Sequence, residues 1–338
     1  MTAQAFTTRK AGASPTSSLV QKELRTAGDY LVGRGVAKDP VQAAAWYRKA
    51  ADHGNPGAQN QLGYLCLWGI GVPRDPAEAF RWFARATAGG SQAAKLNLAV
   101  MYLKGVGTSR DLSLGLDLMT QLAEKGNSRA QAYLGILLMT GTGIPRDPAA
   151  GERWLKKAAK GKNPEAEYTL GVLLSFKSDH AHDFAKAAKL FRRAAHDGYV
   201  PAMHALGLVL ALHPEIAPSS PDEASVMLER AAQGGAWQAS VALGALARDG
   251  RDRPRSLTEA FRWFTIAIRQ GGEDARRFTT VDLDRCRHAL SEEEQGRELA
   301  AADSWMQQHP HAVLFLFTGS TSSDFPIEEI YAPGSAGL

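Results

Sequence analysis

Apolar and small residues recur along this chain with a helical rhythm, and the whole rhythm returns every 36 residues. Taking one polar residue per cycle as an anchor gives Asp39, Asp75, Asp111, Asp147, Asp183, Ser220 and Ser256, at steps of 36, 36, 36, 36, 37 and 36. Four residues after each anchor stands a small residue: Ala43, Ala79, Gly115, Gly151, Ala187, Ala224 or Ala260. Seven after it stands a bulky one: Trp46, Trp82, Leu118, Trp154, Leu190, Met227 or Trp263. Eleven after it comes Ala50, Ala86, Leu122, Ala158, Ala194, Ala231 or Ala267. Such offsets fall on one face of an α-helix, so each anchor predicts a helix whose core stripe includes the tryptophans.

Asp and Ser are preferred helix N-caps, because their side-chain oxygens accept from an orphan backbone N–H. Pro40, Pro76, Pro148 and Pro221 follow directly, where a missing N–H costs nothing. Glu78, Glu223 and Glu259 sit three after their anchors and predict capping boxes. A second helix is equally periodic. Closing glycines stand at Gly54, Gly90, Gly126, Gly198, Gly235 and Gly271, with Gly161 one place early and Lys162 at the expected position. Beyond them come Ala58, Ala94, Ala130, Ala166, Ala202, Ala239 and Ala275, then Leu62, Leu98, Leu134, Leu170, Leu206 and Leu243. A small residue follows each of these leucines (Gly63, Ala99, Gly135, Gly171, Gly207, Gly244), which lets a neighbouring helix approach closely. Each unit is therefore a helical hairpin.

The stretch "GIGVPRDP" resembles a turn that cradles phosphate. A phosphate loop occurs once per nucleotide site and follows a strand. Here the motif returns as "GRGVAKDP", "GVGTSRDL" and "GTGIPRDP", each time behind a helical pattern, so it is a joint between helices.

These residues resemble the Sel-one-like repeat family, a branch of the tetratricopeptide-type helical solenoids. The shared pattern is Ala…Leu-Gly…Gly-x-Gly-Val…Asp…Ala…Trp…Ala-Ala…Gly, in register from about Leu19 to Gly272. The resemblance implies an all-α, right-handed superhelical solenoid of about seven helical-hairpin repeats with a C-terminal capping helix. Departures are Thr26 and Ala27 in place of Leu-Gly, and "FKSDHAHDF" and "HPEIAPSSP" in place of two glycine turns. Secreted members of the family carry a disulfide in each repeat. Only Cys66 and Cys286 occur here, far apart, which argues against that branch and for a reducing, cytoplasmic compartment.

The expected organisation is a disordered leader at 1–17, repeats at 18–272, capping helices at 273–308, and a tail at 309–338. In the capping region Ser291 and Glu294 predict a capping box, and Leu299 and Trp305 are expected to cover the last hairpin. The tail carries the apolar run "AVLFLF" and then "EEIYA", Glu328 to Ala332, whose one-mismatch resemblance to a phosphotyrosine motif of some bacterial effectors is read as incidental. A net charge of +4 spread along the chain argues against nucleic acid and anionic lipid, and no apolar run is long enough to cross a bilayer.

Candidate chemistry is sparse. His180 and His182 lie in an irregular turn without the spacing of a metal site, and no Ser-x-x-Lys tetrad accompanies the β-lactam activity linked to some family members. No cofactor, metal or catalytic group is expected. What remains is a surface: residues two before and two after each repeat's leucine, on the face that lines the concave side in related solenoids. The row reads Asn60 and Tyr64, Leu96 and Val100, Ala132 and Ile136, Tyr168 and Val172, His204 and Leu208, Val241 and Ala245. Its polar, aromatic and aliphatic mixture suits a protein segment better than phosphates, unless tight curvature buries part of it. The expected function is a non-catalytic, monomeric adaptor or regulator holding a protein partner through Asn60, Tyr64, Leu96, Val100, Ile136, Tyr168, Val172, His204 and Leu208. The alternatives are a cell-wall or β-lactam hydrolase and a secreted effector.

Overall fold

At each joint the anchor residue decides where a helix begins. Asp75 is extended (φ −139°, ψ 92°), Pro76 takes the first helical position, and the Glu78 N–H donates to the Asp75 carboxylate at 2.9 Å. Just upstream, Gly69 is left-handed (φ 70°) and donates its N–H to Leu65 O, ending the preceding helix. Asp39, Asp147 and Ser256 cap in the same way.

The computed structural model describes residues 15–176, 183–216, 222–251 and 254–310. The chain divides into two compact units between Leu122 and Ala123. The first contains α1 (Pro15–Val32), α2 (Pro40–Asp52), α3 (Pro56–Trp68), α4 (Pro76–Ala88) and α5 (Gln92–Lys104), and the division falls within α6 (Leu112–Glu124). The second contains α7 (Ser128–Thr140), α8 (Pro148–Lys160), α9 (Pro164–Phe176), α10 (Phe184–His196), α11 (Val200–Leu212), α12 (Glu223–Gln233), α13 (Trp237–Asp249), α14 (Leu257–Ala289) and α15 (Glu292–Gln308). α14 bends at Gly272 (φ 57°, ψ −132°), so its first half completes the seventh hairpin and its second half pairs with α15. Odd-numbered helices up to α13 carry the leucines and are called A helices; their even-numbered partners are B helices. Within each unit an A helix packs on the B helix before it and on the one after it.

The hairpin is held by the step Leu-Gly. A methyl group on Gly63 would stand 2.9 Å from a ring carbon of Phe83; on Gly171 or Gly244 it would stand 2.5 or 2.6 Å from Phe191 or Phe264. These three rings are almost completely buried. They lie eight residues after the anchor, one beyond the bulky column read from the sequence, and Tyr47, Met119, Leu155 and Leu228 fill the same position, all buried. The expectation that the tryptophans form the core stripe is thereby corrected. Trp82 and Trp263 are buried, but Trp46 and Trp154 are only half-buried and lie under Lys49 and Lys157 ammonium groups at 3.8 and 4.1 Å. An indole N–H needs a partner, which keeps tryptophan at the edge of the seam.

That partner also displaces the expected capping boxes. Asp75 N–H donates to Cys66 O (2.8 Å) and Ser256 N–H to Ala247 O (2.8 Å), so neither cap needs a side-chain acceptor. The Glu78 and Glu259 carboxylates accept from Trp82 Nε1 (3.1 Å) and Trp263 Nε1 (3.3 Å) instead. Glu223 forms a bidentate pair with Arg192. The box of Ser291 and Glu294 is complete.

Other expectations shift by a residue or more. α1 begins at Pro15, inside the expected leader. α12 begins at Glu223 with Asp222 at its cap; Ser220 and Pro221 lie outside the described residues, as do His180, His182, "AVLFLF" and Glu328–Ala332. The seventh left-handed turn is at Gly272 and not Gly271, because Gly271 is wedged against Trp237, where a methyl would come within 2.5 Å of the indole. In α15 Trp305 packs edge-on against Trp263 (centroids 5.6 Å apart) and Ala302 is buried, whereas Leu299 is exposed, contrary to its expected covering role.

Two glycines make contrasting tests. Gly71 (φ 66°) would place a methyl 2.0 Å from Pro40 O, whereas Gly35 (φ 72°) has open space around it. Gly35→Ala should cost about 1–2 kcal/mol from backbone strain alone. Gly71→Ala adds overpacking and should cost about 2–5 kcal/mol. Lys162 is the one non-glycine with positive φ (57°) among the described residues, and Lys162→Gly should stabilise by about 0.5–1 kcal/mol. Urea unfolding midpoints of the three variants check the order.

Candidate functional site

The row expected to meet a partner is set by A helices, and the two units treat it differently. In the first unit Asn60, Tyr64, Leu96 and Val100 are 1%, 5%, 1% and 2% exposed. Asn97 Nδ2 donates to Asn60 Oδ1 across α3 and α5 at 3.0 Å, and Tyr64 lies tilted against Trp68. These four have almost no surface to offer a partner in this conformation. Asn97 was missed by the sequence reading. Its Oδ1 is buried without a hydrogen-bond partner, and the only signal was an amide beside the core residue Leu98.

In the second unit α7, α9, α11 and α13 touch one another in succession. Ala132 is fully buried, but Ile136, Tyr168, Val172, His204, Leu208, Val241 and Ala245 are half-buried. Tyr168 leans on Phe191 and Tyr199, with centroids 5.9 and 5.5 Å away. Val172 packs on the same core cluster. The structure thus brings Tyr168, Val172, His204 and Leu208 onto neighbouring helices, with one ionisable imidazole among apolar groups.

The reactive groups are placed for packing. Cys66 and Cys286 are buried free thiols. Burial first, and then the nearby Glu78 carboxylate, push the Cys66 thiol up to about 11. Among the described residues no group of three or more His, Cys, Asp or Glu side chains could hold a metal ion. No described helix is long and apolar enough to cross a membrane.

The Sel1 repeat pattern matches residues 25–55, 56–91, 92–127, 128–163, 164–199 and 237–272. The chain belongs to the Sel1 repeat family. Each full match joins an A helix to the B helix after it, and α11 and α12 form the same kind of hairpin in the interval 200–236. A Sel1 repeat protein from Oxalobacter formigenes is similar in structure, with a TM-score of 0.61 at 28% identity over 74% of this chain and 99% of that one. A protective antigen of uropathogenic Escherichia coli with an SLR fold aligns at a TM-score of 0.46 and 25% identity, over 91% of this chain and 73% of that one. An immunity protein from Pseudomonas aeruginosa aligns at 0.47 and 18% identity, over 65% and 83%. No curated protein matches the sequence.

His204 makes the row sensitive to acid. Burial pushes its imidazole below the ordinary histidine value, so the unfolded chain takes up this proton at a higher pH than the folded one. Its contribution is complete above the unfolded value near 6.5 and is lost as pH falls from there towards the folded value. Thermal melts between pH 7.5 and 5 should show stability declining with acidity, and His204→Gln should flatten the slope. An equal slope in both proteins removes His204 as the cause.

Proposed function

We propose that this Sel1 repeat protein is a non-catalytic, monomeric adaptor that holds an apolar segment of a protein partner across the A helices of its second unit. The observation that supports the reading is the run of half-buried Ile136, Tyr168, Val172, His204 and Leu208 on helices that touch in succession. Aromatic and aliphatic groups already braced by a core lose little side-chain freedom on binding, so their apolar area is available for affinity. Low charge disfavours a phosphate backbone as the occupant. Of the residues expected at the interface, Asn60, Tyr64, Leu96 and Val100 are set aside because they are buried. The two buried thiols support a reducing, cytoplasmic setting.

Capture from cell extract, compared between wild type and the variant His204→Ala with Leu208→Glu, tests the interface. A specific captured protein should be reduced at least tenfold while far-UV circular dichroism stays unchanged. The same capture profile from both proteins overturns the assignment.

A further inference from the structure

A cavity of about 620 Å³ opens at the joint after α13, lined by Arg248, Arg251, Arg255 and Arg285 together with Asp249 and Cys286. The first three joints are apolar at one of these positions. Position for position, Arg248 replaces Leu31, Leu67 and Leu103 of those joints, whereas Arg251 stands where they carry Arg34, Ile70 and Val106. Leu67 and Leu103 are buried apolar side chains, so hairpin packing alone needs no guanidinium at that step. Arg255 has counterparts in Arg74, Arg110 and Arg146, whose Nε atoms donate to Leu67, Leu103 and Met139 carbonyls at 3.2, 3.0 and 2.9 Å. The last joint keeps this arginine and adds others around it.

The guanidiniums are arranged in two ranks. Arg248 is held by Asp249 in a two-pronged pair (2.7 and 2.9 Å) and reaches Asp282 at 2.5 Å. Asp282 also meets Arg285, but at 3.4 Å and on a side chain that is 72% exposed. Among the described residues, four arginines thus stand around this cavity with Asp249, and the second carboxylate, Asp282, bonds Arg248 and Arg285. A guanidinium presents paired N–H donors that match phosphate oxygens. The volume lies within the roughly 300–1,000 Å³ common for small-molecule sites.

We propose that this cavity binds a small molecule bearing a phosphate group, gripped by Arg251, Arg255 and Arg285 in front of the fixed Arg248–Asp249–Asp282 network. The site is separate from the row of A-helix residues and does not depend on the adaptor reading.

Titration calorimetry of the full chain with inorganic pyrophosphate, against sodium chloride of equal ionic strength, tests it. One saturable site is expected. The double variant Arg251→Ile with Arg285→Gln should weaken binding at least tenfold; isoleucine is what the second repeat carries at the first position, and unchanged melting confirms that the fold persists. Lack of saturable heat above the chloride control, or equal affinity in the double variant, overturns the proposal.

Discussion

A phenylalanine ring seated against bare glycine backbone, as Phe83 is on Gly63 and Phe191 on Gly171, holds two helices closer than branched side chains on both would permit. Close approach buries the ring fully, which is worth roughly 1.5–3 kcal/mol for a large apolar side chain. Most helices of the repeats have 13 residues, and isolated helices of that length are marginal in water. The interlock therefore has to form for the hairpin to exist, and a hairpin still leaves its other apolar seam uncovered until the next one packs. Stacking follows from that unfinished burial.

The joints serve the same requirement. Left-handed Gly69 turns the chain sharply, Gly71 lets the loop lie on the backbone of Pro40, and Arg74 ties the loop to Leu67 O. A motif that looks like a phosphate cradle thus positions helices. The carbonyls of Cys66 and Ala247 satisfy the cap N–H groups, which releases Glu78 and Glu259 to hold the tryptophan indoles. Arg48 on α2 also bonds Glu78 on α4, joining successive B helices; being partly exposed, that pair orients the neighbours more than it stabilises them.

Much of this was legible in the residues. Caps, closing glycines and the Ala and Leu columns are local hydrogen-bond and periodicity signals carried within a few residues, and Asp75, Gly69 and Ala58 behave as their spacing implies. Adjacent columns were harder to separate. Trp82 and Phe83 are both bulky and 100° apart on the helix, and only the position of the facing Gly63 decides which one enters the hairpin. Leu299 and Trp305 were indistinguishable as covering residues until α15 presented Trp305 to Trp263.

By itself the sequence determined the repeat length, the family, and the helix starts and stops at the regular joints, since each depends on chemistry within one turn or on recurrence along the chain. Tertiary structure decided which parts of the A-helix row keep surface, burying Asn60 and Leu96 while leaving His204 and Leu208 half open. It also brought Arg285 beside Arg248, more than thirty positions away in the chain. Exposure and charge clustering are set by which side chains of other repeats arrive opposite, and spacing along one helix carries no record of them.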